Sequence, residues 1–355
     1  MKLSIVILNW NGVDMMRRFL PSVVTHSPQA EVVVVDNGST DDSLAWLEGE
    51  IPEVRRIALG KNYGFAEGYH RGLALLEGGT PGAVPAGVEE SDGTYYLLLN
   101  SDVEVREGWL NGMLAYMEAH SEVAACQPKL LCQWAPDTFE YAGASGGYID
   151  ALGYPYCRGR VFSTVEKDEG QYDDVAPVLW ATGAALLIRR RDYWAVGGLD
   201  GRFFAHQEEI DLCWRLRSRG LGVVCVPQSV AYHLGGGTLP QGNSRKDYLN
   251  FRNNLLLLYK NLPESQLNRV LRLRFWLDAL ASLQFLLRGQ WASFRAVWRA
   301  RRDFRRMRPQ FEADRRRNLR LATLSPVPEQ SAFSLLWQYY VRGRRTYKIL
   351  HNTPE

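Results

Sequence analysis

The sequence has few cysteines and no long hydrophobic run. Its five cysteines are odd in number and form no C-x-x-C pair, which argues against a disulfide framework and against a zinc site. The best candidate for a membrane span, residues 275–287, is shorter than the roughly 20 residues that cross a bilayer and contains Asp278. The N-terminus enters an apolar strand without the apolar region and cleavage site of a signal peptide. We therefore expect reduced thiols, no membrane span and a cytoplasmic location.

Net charge is also small, and neither internal repeats nor low-complexity tracts are present in the sequence. With a net charge of +3 and 46% hydrophobic residues, the chain is expected to fold around a sizeable core. The basic charge is local, because residues 288–320 hold twelve arginines against three acids, a net +9 that leaves −6 for the rest of the chain. Nucleic acid is therefore not an expected partner, and the basic segment needs another explanation.

Short apolar runs alternate with helical patterns through the first half of the chain. Four runs predict buried strands that end in polar or glycine-containing turns: LSIVILNW, AEVVVVDNGS, VRRIALGKN and TYYLLLNSD. Helices are predicted over residues 15–24, 43–50, 67–77 and 208–220. This alternation predicts an α/β fold with a parallel sheet, which binds ligands at the carboxyl ends of its strands. Four polar residues that each follow a strand are therefore expected at one edge: Asn9, Asp36, Asn62 and Asp102.

Two of these segments have both a functional and a structural interpretation. In VVVVDNGSTDDS (residues 32–43), Asp36 can accept the imide N–H of uracil or thymine, with the backbone of residues 8–10 over the base; alternatively it only forms the turn. In GKNYGFAEGYHRG (residues 60–72), the glycines lie four residues apart. They suit either a helix start whose free N–H groups bind a phosphate or ribose, or a tight turn with close helix packing.

Three residues are candidates for a metal site. Asn100 and Asp102 share one face of a strand end, and hard oxygen donors beside a diphosphate suit Mg²⁺ or Mn²⁺. The alternative is an Asn-Ser-Asp turn. His233 precedes three glycines that could close over a phosphate, and it is either structural or a neutral imidazole ligand.

A carboxylate on an apolar helix face is the candidate general base. In EEIDLCWRLRSRG, Glu209 falls on the same stripe as leucine and cysteine, near the helix start. Partial desolvation there would raise its pKa toward the range that suits a base. Asp211 and Arg215, on the other stripe, are explained as a salt pair on a solvated face.

Six segments occur in an order that resembles family 2 glycosyltransferases, and most closely the bacterial rhamnosyltransferase-like branch. They are SIVILNWNG, VVVVDNGSTDDS, NYGFAEGYHRG, YYLLLNSDVEV, GGLDGRFFAHQEEIDLCWRLRSRG and AYHLGGGT. The resemblance covers residues 2–238 and continues faintly over 248–263. It implies the GT-A fold, a Rossmann-like mixed sheet flanked by helices, together with a Mg²⁺ or Mn²⁺ cofactor and inversion at the anomeric carbon.

The resemblance also implies roles for individual residues. The donor nucleotide is expected to contact Leu8, Asn9, Asp36, Asn62, Gly64 and Asn100. The metal is expected at Asp102 and His233, and the catalytic base at Glu209. The acceptor is expected to contact residues 132–175 and, beside the base, Trp180, Gly183 and Glu208.

Three positions depart from the family pattern. Asn100 stands where the first Asp of a D-x-D motif is usual, which leaves one carboxylate for the metal. Glu209 stands where Asp is usual, so the base is longer by one methylene. His70 stands where Asn is more common, which puts the sugar or ribose contact there in doubt.

The predicted organisation is a catalytic domain over residues 1–261 and a basic, aromatic helical extension over 262–355. The extension suits an anionic membrane surface, which would place the protein on the inner face of the cytoplasmic membrane; alternatively it is a helical cap or a homodimer contact. The predicted function is transfer of a sugar, with rhamnose as the leading candidate, from a dTDP or UDP donor to a lipid-linked glycan precursor. The rival functions are a nucleotide-sugar-binding module without catalysis and a sugar nucleotidyltransferase.

Overall fold

The computed structural model describes residues 2–88, 93–235 and 243–352. Its strands are β1 (Lys2–Asn9), β2 (Glu31–Asp36), β3 (Arg55–Ala58), β4 (Thr94–Leu99), β5 (Val103–Val105), β6 (Val123–Cys132), β7 (Ala135–Phe139), β8 (Gly147–Ile149), β9 (Pro155–Cys157), β10 (Arg160–Val161), β11 (Thr164–Val165), β12 (Ala176–Pro177), β13 (Ala185–Arg189) and β14 (Gly222–His233). Its helices are α1 (Val13–Thr25), α2 (Ser43–Glu50), α3 (Phe65–Leu76), α4 (Asn111–Ala119), α5 (Arg190–Ala195), α6 (Glu208–Ser218), α7 (Ser244–Asn261), α8 (Glu264–Leu287), α9 (Trp291–Met307), α10 (Glu312–Leu321) and α11 (Tyr347–Asn352).

The main sheet is mixed, and its strand order is β12-β14-β6-β13-β4-β1-β2-β3, with β5 and β7 at its side. Strands β1 to β4 run parallel to one another, and β6 and β14 share their direction because β13 runs antiparallel to both β4 and β6. The carboxyl ends of β1, β2, β4, β6 and β14 therefore meet at one edge, where β13 begins. This edge is where the sequence predicts ligand binding, and the predicted α/β architecture is confirmed.

Residues 132–175, which carry no recognisable sequence pattern, form the small strands β7 to β11. Strands β8 to β11 make a separate antiparallel sheet. Each of these four has only two or three residues, which is too short for apolar and polar residues to alternate visibly. Their packing is therefore a tertiary feature that local pattern does not predict.

The C-terminal helices share the core of the sheet domain. Leu267, Val270, Phe304 and Phe311 belong to the same buried cluster as Tyr69 on α3. The predicted boundary at 261/262 falls between α7 and α8, yet apolar packing runs across it, so a division into two domains stays a prediction. In the part of the chain that the structure describes, no helix combines the length and low charge needed to cross a bilayer.

Candidate active site

Two of the four predicted polar residues, Asn9 and Asp36, bond to each other at the carboxyl edge of the sheet, and Asn100 reaches the start of β13 there. Asn9, at the end of β1, donates from Nδ2 to Oδ1 of Asp36 at the end of β2, over 3.2 Å. Asn100 follows β4, and its N–H donates over 3.0 Å to the carbonyl oxygen of Ala184, which immediately precedes β13. The parallel strand order brings the side chains of Asn9 and Asp36 together, as the sequence predicts.

Asp36 forms the turn that the structural interpretation predicts. Its Oδ2 accepts the N–H groups of Gly38 and Ser39 at 3.2 and 3.0 Å, and Asn9 occupies Oδ1. A carboxylate has about four lone-pair sites, so the side chain still has acceptor capacity toward a base. Recognition of a nucleobase by Asp36 stays a prediction.

The N-terminus of α3 is occupied by another part of the chain. The N–H groups of Phe65 and Ala66 donate to the carbonyl of Phe204 at 2.7 and 3.1 Å, and Gly64 N–H donates to Asn62 Oδ1 at 2.8 Å. The interpretation that these groups are free for a phosphate or ribose is therefore wrong. The carbonyl of Phe204, about 140 residues away in sequence, caps the helix instead. Gly64 has φ +86°, and a Cβ there would lie 2.4 Å from the Phe204 ring.

Close packing explains the next glycine of this segment. A Cβ on Gly68 would lie 2.9 Å from a methyl carbon of Leu8, so α3 can approach β1 only because residue 68 lacks a side chain. The structural interpretation of the spaced glycines is therefore confirmed here.

Tyr69 connects the ends of β1 and β4, and no sequence pattern predicts this role. Its hydroxyl donates to Leu99 O at 2.9 Å and accepts the N–H of Leu8 at 3.4 Å. Burial raises the pKa of Tyr69 well above its usual value, and the nearby charges of Asp102 and Glu208 act in the same direction. The phenol therefore stays protonated. Its two hydrogen bonds hold the end of β1, on the predicted donor side, next to the end of β4, which leads to the predicted metal ligand Asp102.

Asp102 and His233 lie side by side, as the predicted metal site requires. His233 Nε2 lies 3.1 Å from Asp102 Oδ1, and its Nδ1 lies 3.3 Å from Oε1 of Glu140. Burial works to lower the pKa of His233, but the two carboxylates outweigh it and raise the pKa to about 10. Burial works to raise the pKa of Asp102, yet its contacts with His233 hold it below the usual value. Glu140 lies in the stretch without a sequence pattern and was not predicted.

The imidazole separates the two carboxylates, so these three side chains do not form a closed cage. Within the described ranges, no group of three His, Cys, Asp or Glu side chains is arranged to hold a metal. Of the three glycines after His233, only Gly235 lies in the described part of the chain; residues 236 and 237 lie outside it. The predicted closure of this loop over a phosphate stays a prediction.

Glu208 and Glu209 open α6, and each has an enclosed Oε2 without a hydrogen-bond partner. Burial raises the pKa of Glu209 to about 7, against the opposing effect of backbone N–H groups at the helix start. Burial and the neighbouring charge of Glu209 raise the pKa of Glu208 well above its usual value. A Cβ on Gly183 would lie 3.8 Å from Glu209 Cβ, so the backbone at Gly183 forms the adjacent wall. These three predicted residues therefore lie together.

Asp211 and Arg215 are buried, so their assignment to a solvated face is wrong. Their ion pair measures 2.8 Å, and Lys260 of α7 lies 2.8 Å from the same carboxylate. Helix α7 covers this face of α6, which the sequence pattern of α6 alone does not reveal. The pair anchors the helix that presents Glu209.

Two other predicted residues lie away from the open edge. Trp180 is buried in the core, where its Nε1 donates to Tyr148 O at 3.0 Å and a Cβ on Gly147 would lie 1.9 Å from its ring. This burial counts against direct contact with an acceptor, because the indole already fills a packed site. His70 Nδ1 lies 3.3 Å from the Tyr193 hydroxyl, on the part of α3 that faces α5.

The loop before Glu208 has a strained backbone and a dedicated support. Phe204, His206 and Gln207 all have φ near +70°, in the left-handed region that disfavours side chains. Nδ2 of Asn253 on α7 lies within 3.0, 2.8 and 2.7 Å of the carbonyl oxygens of residues 203, 205 and 206. The only sequence signal for Asn253 is a polar pair inside the leucine-rich FRNNLLLL run.

Unpaired buried polar atoms concentrate at this edge. Apart from His233 Nδ1, which faces Glu140, five such atoms among the described residues belong to it or to the adjoining loop: Asn9 Oδ1, Asn100 Oδ1, His206 Nε2, Glu208 Oε2 and Glu209 Oε2. Buried polar atoms are normally paired, and leaving one unpaired costs about 1–3 kcal/mol. The arrangement therefore suits a polar ligand bound between the strand ends and the start of α6.

Comparison with known proteins identifies relatives of this chain. The family model described as "Glycosyl transferase family 2" matches residues 4–196. A Mycobacterium tuberculosis protein named N-acetylglucosaminyl-diphospho-decaprenol L-rhamnosyltransferase is 28% identical over 240 residues, which cover 65% of this chain and 75% of the relative. Rhamnosyltransferase WbbL of Escherichia coli is 25% identical over 231 residues, which cover 64% of this chain and 82% of the relative.

Solved structures share the fold at low sequence identity. S. aureus TarS 1-349 in complex with UDP-GlcNAc superposes with a TM-score of 0.51 at 16% identity, covering 90% of this chain and 89% of the other. GalNAc-T7 with UDP, GalNAc and Mn²⁺ gives a TM-score of 0.51 at 16% identity, covering 71% of this chain and 47% of the other. Together with the mixed sheet, these likenesses confirm the predicted GT-A fold. Since the family model matches more than half of its 355 residues, the chain belongs to glycosyl transferase family 2 and is a glycosyltransferase.

Proposed function

We propose that the protein transfers rhamnose from a dTDP or UDP donor, with inversion, to a hydroxyl group of a lipid-linked glycan precursor of the cell surface. The observation that carries this proposal is the set of unpaired buried polar atoms that joins the strand ends to the first turn of α6. The reaction needs a nucleotide site next to a base, and the polar groups at this edge support both roles. The choice of sugar and acceptor rests on the names of the relatives in M. tuberculosis and E. coli.

The donor nucleotide is proposed to lie across the ends of β1, β2 and β4. Asn9 and Asn100 each offer an unpaired amide oxygen there, and Leu8 supplies apolar surface beside them. Asp36 and Asn62 hold the surrounding turns through their hydrogen bonds to backbone N–H groups. Both residues would therefore support the nucleotide site by fixing the backbone around it.

The donor set fits a divalent cation bound in an open site. Mg²⁺ and Mn²⁺ prefer oxygen ligands and commonly take one or two protein side chains together with waters and substrate phosphates. Asp102 and His233 lie side by side and would hold such an ion, which would have to displace the proton that the two carboxylates keep on the imidazole in its absence. Glu140 would orient the ring from its other nitrogen. When bound, a divalent cation would supply charge neutralisation at the leaving diphosphate.

Glu209 is proposed as the general base. Its carboxylate takes the proton of the acceptor hydroxyl as the hydroxyl oxygen attacks the anomeric carbon. The bond from that carbon to the diphosphate oxygen breaks, and the nucleoside diphosphate leaves on the opposite face of the sugar. A pKa of about 7 suits this task, because the group is deprotonated near neutral pH and still has a useful affinity for the proton. Glu208 and the backbone at Gly183 would border the acceptor.

A thermal-shift titration tests the donor site. The midpoint of wild type should rise with the concentration of dTDP or UDP, and more strongly with Mn²⁺ or Mg²⁺, since a ligand that binds only the folded state stabilises it. Asp102→Ala should lose the metal-dependent part. Asp137→Ala is the matched control, because Asp137 is an exposed aspartate that pairs with Lys167 on the surface.

Transfer itself is tested with dTDP-rhamnose and with UDP-sugars on a polyprenyl-diphosphate-linked acceptor. The expected result is a rhamnosylated lipid with inverted anomeric configuration. Nucleotide binding without turnover of any donor would favour a binding module, and failure of both nucleotides to shift the midpoint would contradict the donor site.

A further inference from the structure

Helix α8 carries an apolar stripe on its outward side. Its buried positions are Leu267, Val270, Arg274, Asp278 and Ser282, which follow helical spacing. On the opposite side, also at spacings of three and four, lie five exposed apolar residues: Leu273, Trp276, Leu280, Leu283 and Leu287. Trp276 is 71% exposed and Leu287 is 80% exposed. An apolar stripe of four turns that faces away from the core marks an interaction surface.

Helix α9 extends this surface with aromatic and basic residues. Trp291 and Trp298 lie on its exposed side, seven residues apart, with Arg295 between them. Phe275 joins the two helices, since its ring centroid lies 5.2 Å from that of Trp276 and 6.3 Å from that of Trp298. We call the α8 stripe together with the exposed side of α9 the α8–α9 face.

Basic side chains border the α8–α9 face, and the acidic side chains of α8 and α9 pair with arginines away from it. Within the described residues, no carboxylate forms an ion pair with Arg269, Arg272, Arg288 or Arg295. The acids of the two helices are engaged elsewhere: Asp278 is buried against Arg274 and Arg301, Glu264 pairs with Arg315, and Asp303 pairs with Arg302. The face therefore presents apolar and positively charged groups together.

We propose that the α8–α9 face docks on an anionic lipid bilayer. Tryptophan and leucine can enter the boundary between headgroups and acyl chains, while arginines bind anionic headgroups around them. A second copy of the chain fits this surface poorly. In a symmetric dimer the same patch meets itself, which would bring arginines of both copies together without acids between them.

Helix α8 is also linked by hydrogen bonds to the loop that precedes α6. Arg274, on the inner side of α8, donates to Asn254 of α7, and Asn254 donates over 3.0 Å to Gln207, the residue before Glu208. The helix that would contact the bilayer is therefore connected to the start of α6 through two hydrogen bonds. This connection suits an acceptor presented by a membrane, although the docking surface itself does not depend on the proposed function.

Vesicle co-sedimentation of the full chain tests the proposal. The protein should pellet with vesicles of phosphatidylcholine and phosphatidylglycerol, much less with phosphatidylcholine alone, and less at 0.5 M NaCl because salt screens the headgroup charge. The double variant Trp276→Ser/Leu280→Ser should weaken binding at least about tenfold through lost apolar burial. Arg272→Glu/Arg295→Glu should weaken it on the order of fivefold or more per site, and only toward anionic vesicles.

Two control variants distinguish binding through the α8–α9 face from nonspecific binding through any exposed tryptophan or arginine. Trp134→Ser removes a tryptophan that is 75% exposed on the turn between β6 and β7, and should keep vesicle binding. Arg17→Glu/Arg55→Glu reverses two exposed charges on α1 and β3 and should also keep it. Equal losses in the controls, or no pelleting with anionic vesicles, would overturn the proposal.

Sedimentation velocity tests whether a second copy of the chain, and not a bilayer, covers the α8–α9 face. If the wild type is a dimer that Trp276→Ser converts to a monomer, and neither form binds vesicles, then a second copy covers the face and the proposal is wrong. Nucleotide-induced thermal shifts measured on the same variants should remain at the wild-type level. Failure of vesicle binding is thereby distinguished from failure of the donor site.

Discussion

At the scale of single residues, the proposed chemistry depends most on Glu209. It is half-buried, Oε2 has no partner, and burial raises its pKa to about 7. We expect Glu209→Gln to lower kcat by about 10²–10⁴-fold, the range of general-base catalysis, while nucleotide binding stays unchanged. In wild type, kcat/KM should rise with pH through about 7 as the carboxylate forms. Steady-state rates from pH 5.5 to 8.5 measure the loss of kcat in the variant and the pH dependence of kcat/KM in wild type. Glu48→Gln, on the exposed side of α2, is the control. A variant that keeps the wild-type rate would exclude Glu209 as the base.

The same residue should make stability depend on pH. A carboxyl whose pKa is raised on folding binds its proton more tightly in the folded state. It therefore contributes stability below its ordinary pKa of 4.5, and this contribution is lost as pH rises through about 7. Because glutamine stays neutral, Glu209→Gln should gain stability relative to wild type between pH 5 and pH 8. Thermal midpoints at the two values measure this difference, and a difference that does not change with pH would contradict it.

The site was only partly predictable at this scale. Strand ends and the helix-face position of Glu209 can be inferred from local pattern, and those residues do lie together. Tyr69, Glu140 and Asn253 could not be inferred, because each acts through a partner far away in sequence. Tyr69 bonds to Leu99, Glu140 contacts an imidazole 93 positions later, and Asn253 holds a loop some 50 positions earlier.

At the scale of elements, the loop that precedes α6 depends on α7. Asn253 satisfies three carbonyls of this loop, whose left-handed residues are strained. Asn253→Ala should lower the free energy of unfolding by about 1–3 kcal/mol, because buried carbonyls lose a donor. It should also reduce kcat while the midpoint shift by nucleotide is kept, since Asn253 holds the carbonyls of residues 203, 205 and 206 and not that of Phe204, which caps α3. Asn268→Ala, on the exposed side of α8, is the control. Equal losses in nucleotide response and kcat would indicate general unfolding instead.

Element boundaries show why part of the fold was predictable. Strands β1, β2 and β4 are continuous apolar runs buried on both faces, and α6 has clear periodicity and a glycine after its end, so their pattern is local. The helix start at Phe65 is different. One of its two interpretations left its N–H groups free for a phosphate or ribose, but the carbonyl of Phe204, which is distant in sequence, already accepts from them.

At the scale of the whole molecule, the excess of arginine over residues 288–320 serves two purposes. Arg301 and Arg315 are buried and bind Asp278 and backbone carbonyls, so they hold helices together. Arg288 and Arg295 are exposed and contribute to the basic border of the α8–α9 face. Sequence composition reveals the total charge of +9 but not this division, because burial is decided by which helix face meets α7.

Asp278 tests whether the C-terminal helices and the sheet form one cooperative unit. Its carboxylate is fully buried between Arg274 and Arg301, and Arg274 also donates to Leu152 O over 2.9 Å, on the far side of the predicted domain boundary. Asp278→Ala leaves two buried guanidinium groups without their counter-charge, so it should lower the free energy of unfolding by about 3–5 kcal/mol. The exposed pair of Asp14 with Arg17 on α1 provides the control, and Asp14→Ala should cost about 1 kcal/mol or less.

Calorimetry distinguishes one unit from two in the Asp278→Ala variant. Because Leu267, Val270 and Phe304 belong to the core that contains Tyr69, loosening α8 and α9 should expose that core as well. We therefore expect a single transition at lower temperature, with nucleotide raising its midpoint. Two transitions, of which only the upper responds to nucleotide, would show instead that residues 1–261 fold on their own. In that case the arginine-rich helices would form a separate domain. The hydrogen bonds from α8 through Asn254 to Gln207 would then not be needed to hold the loop before Glu208.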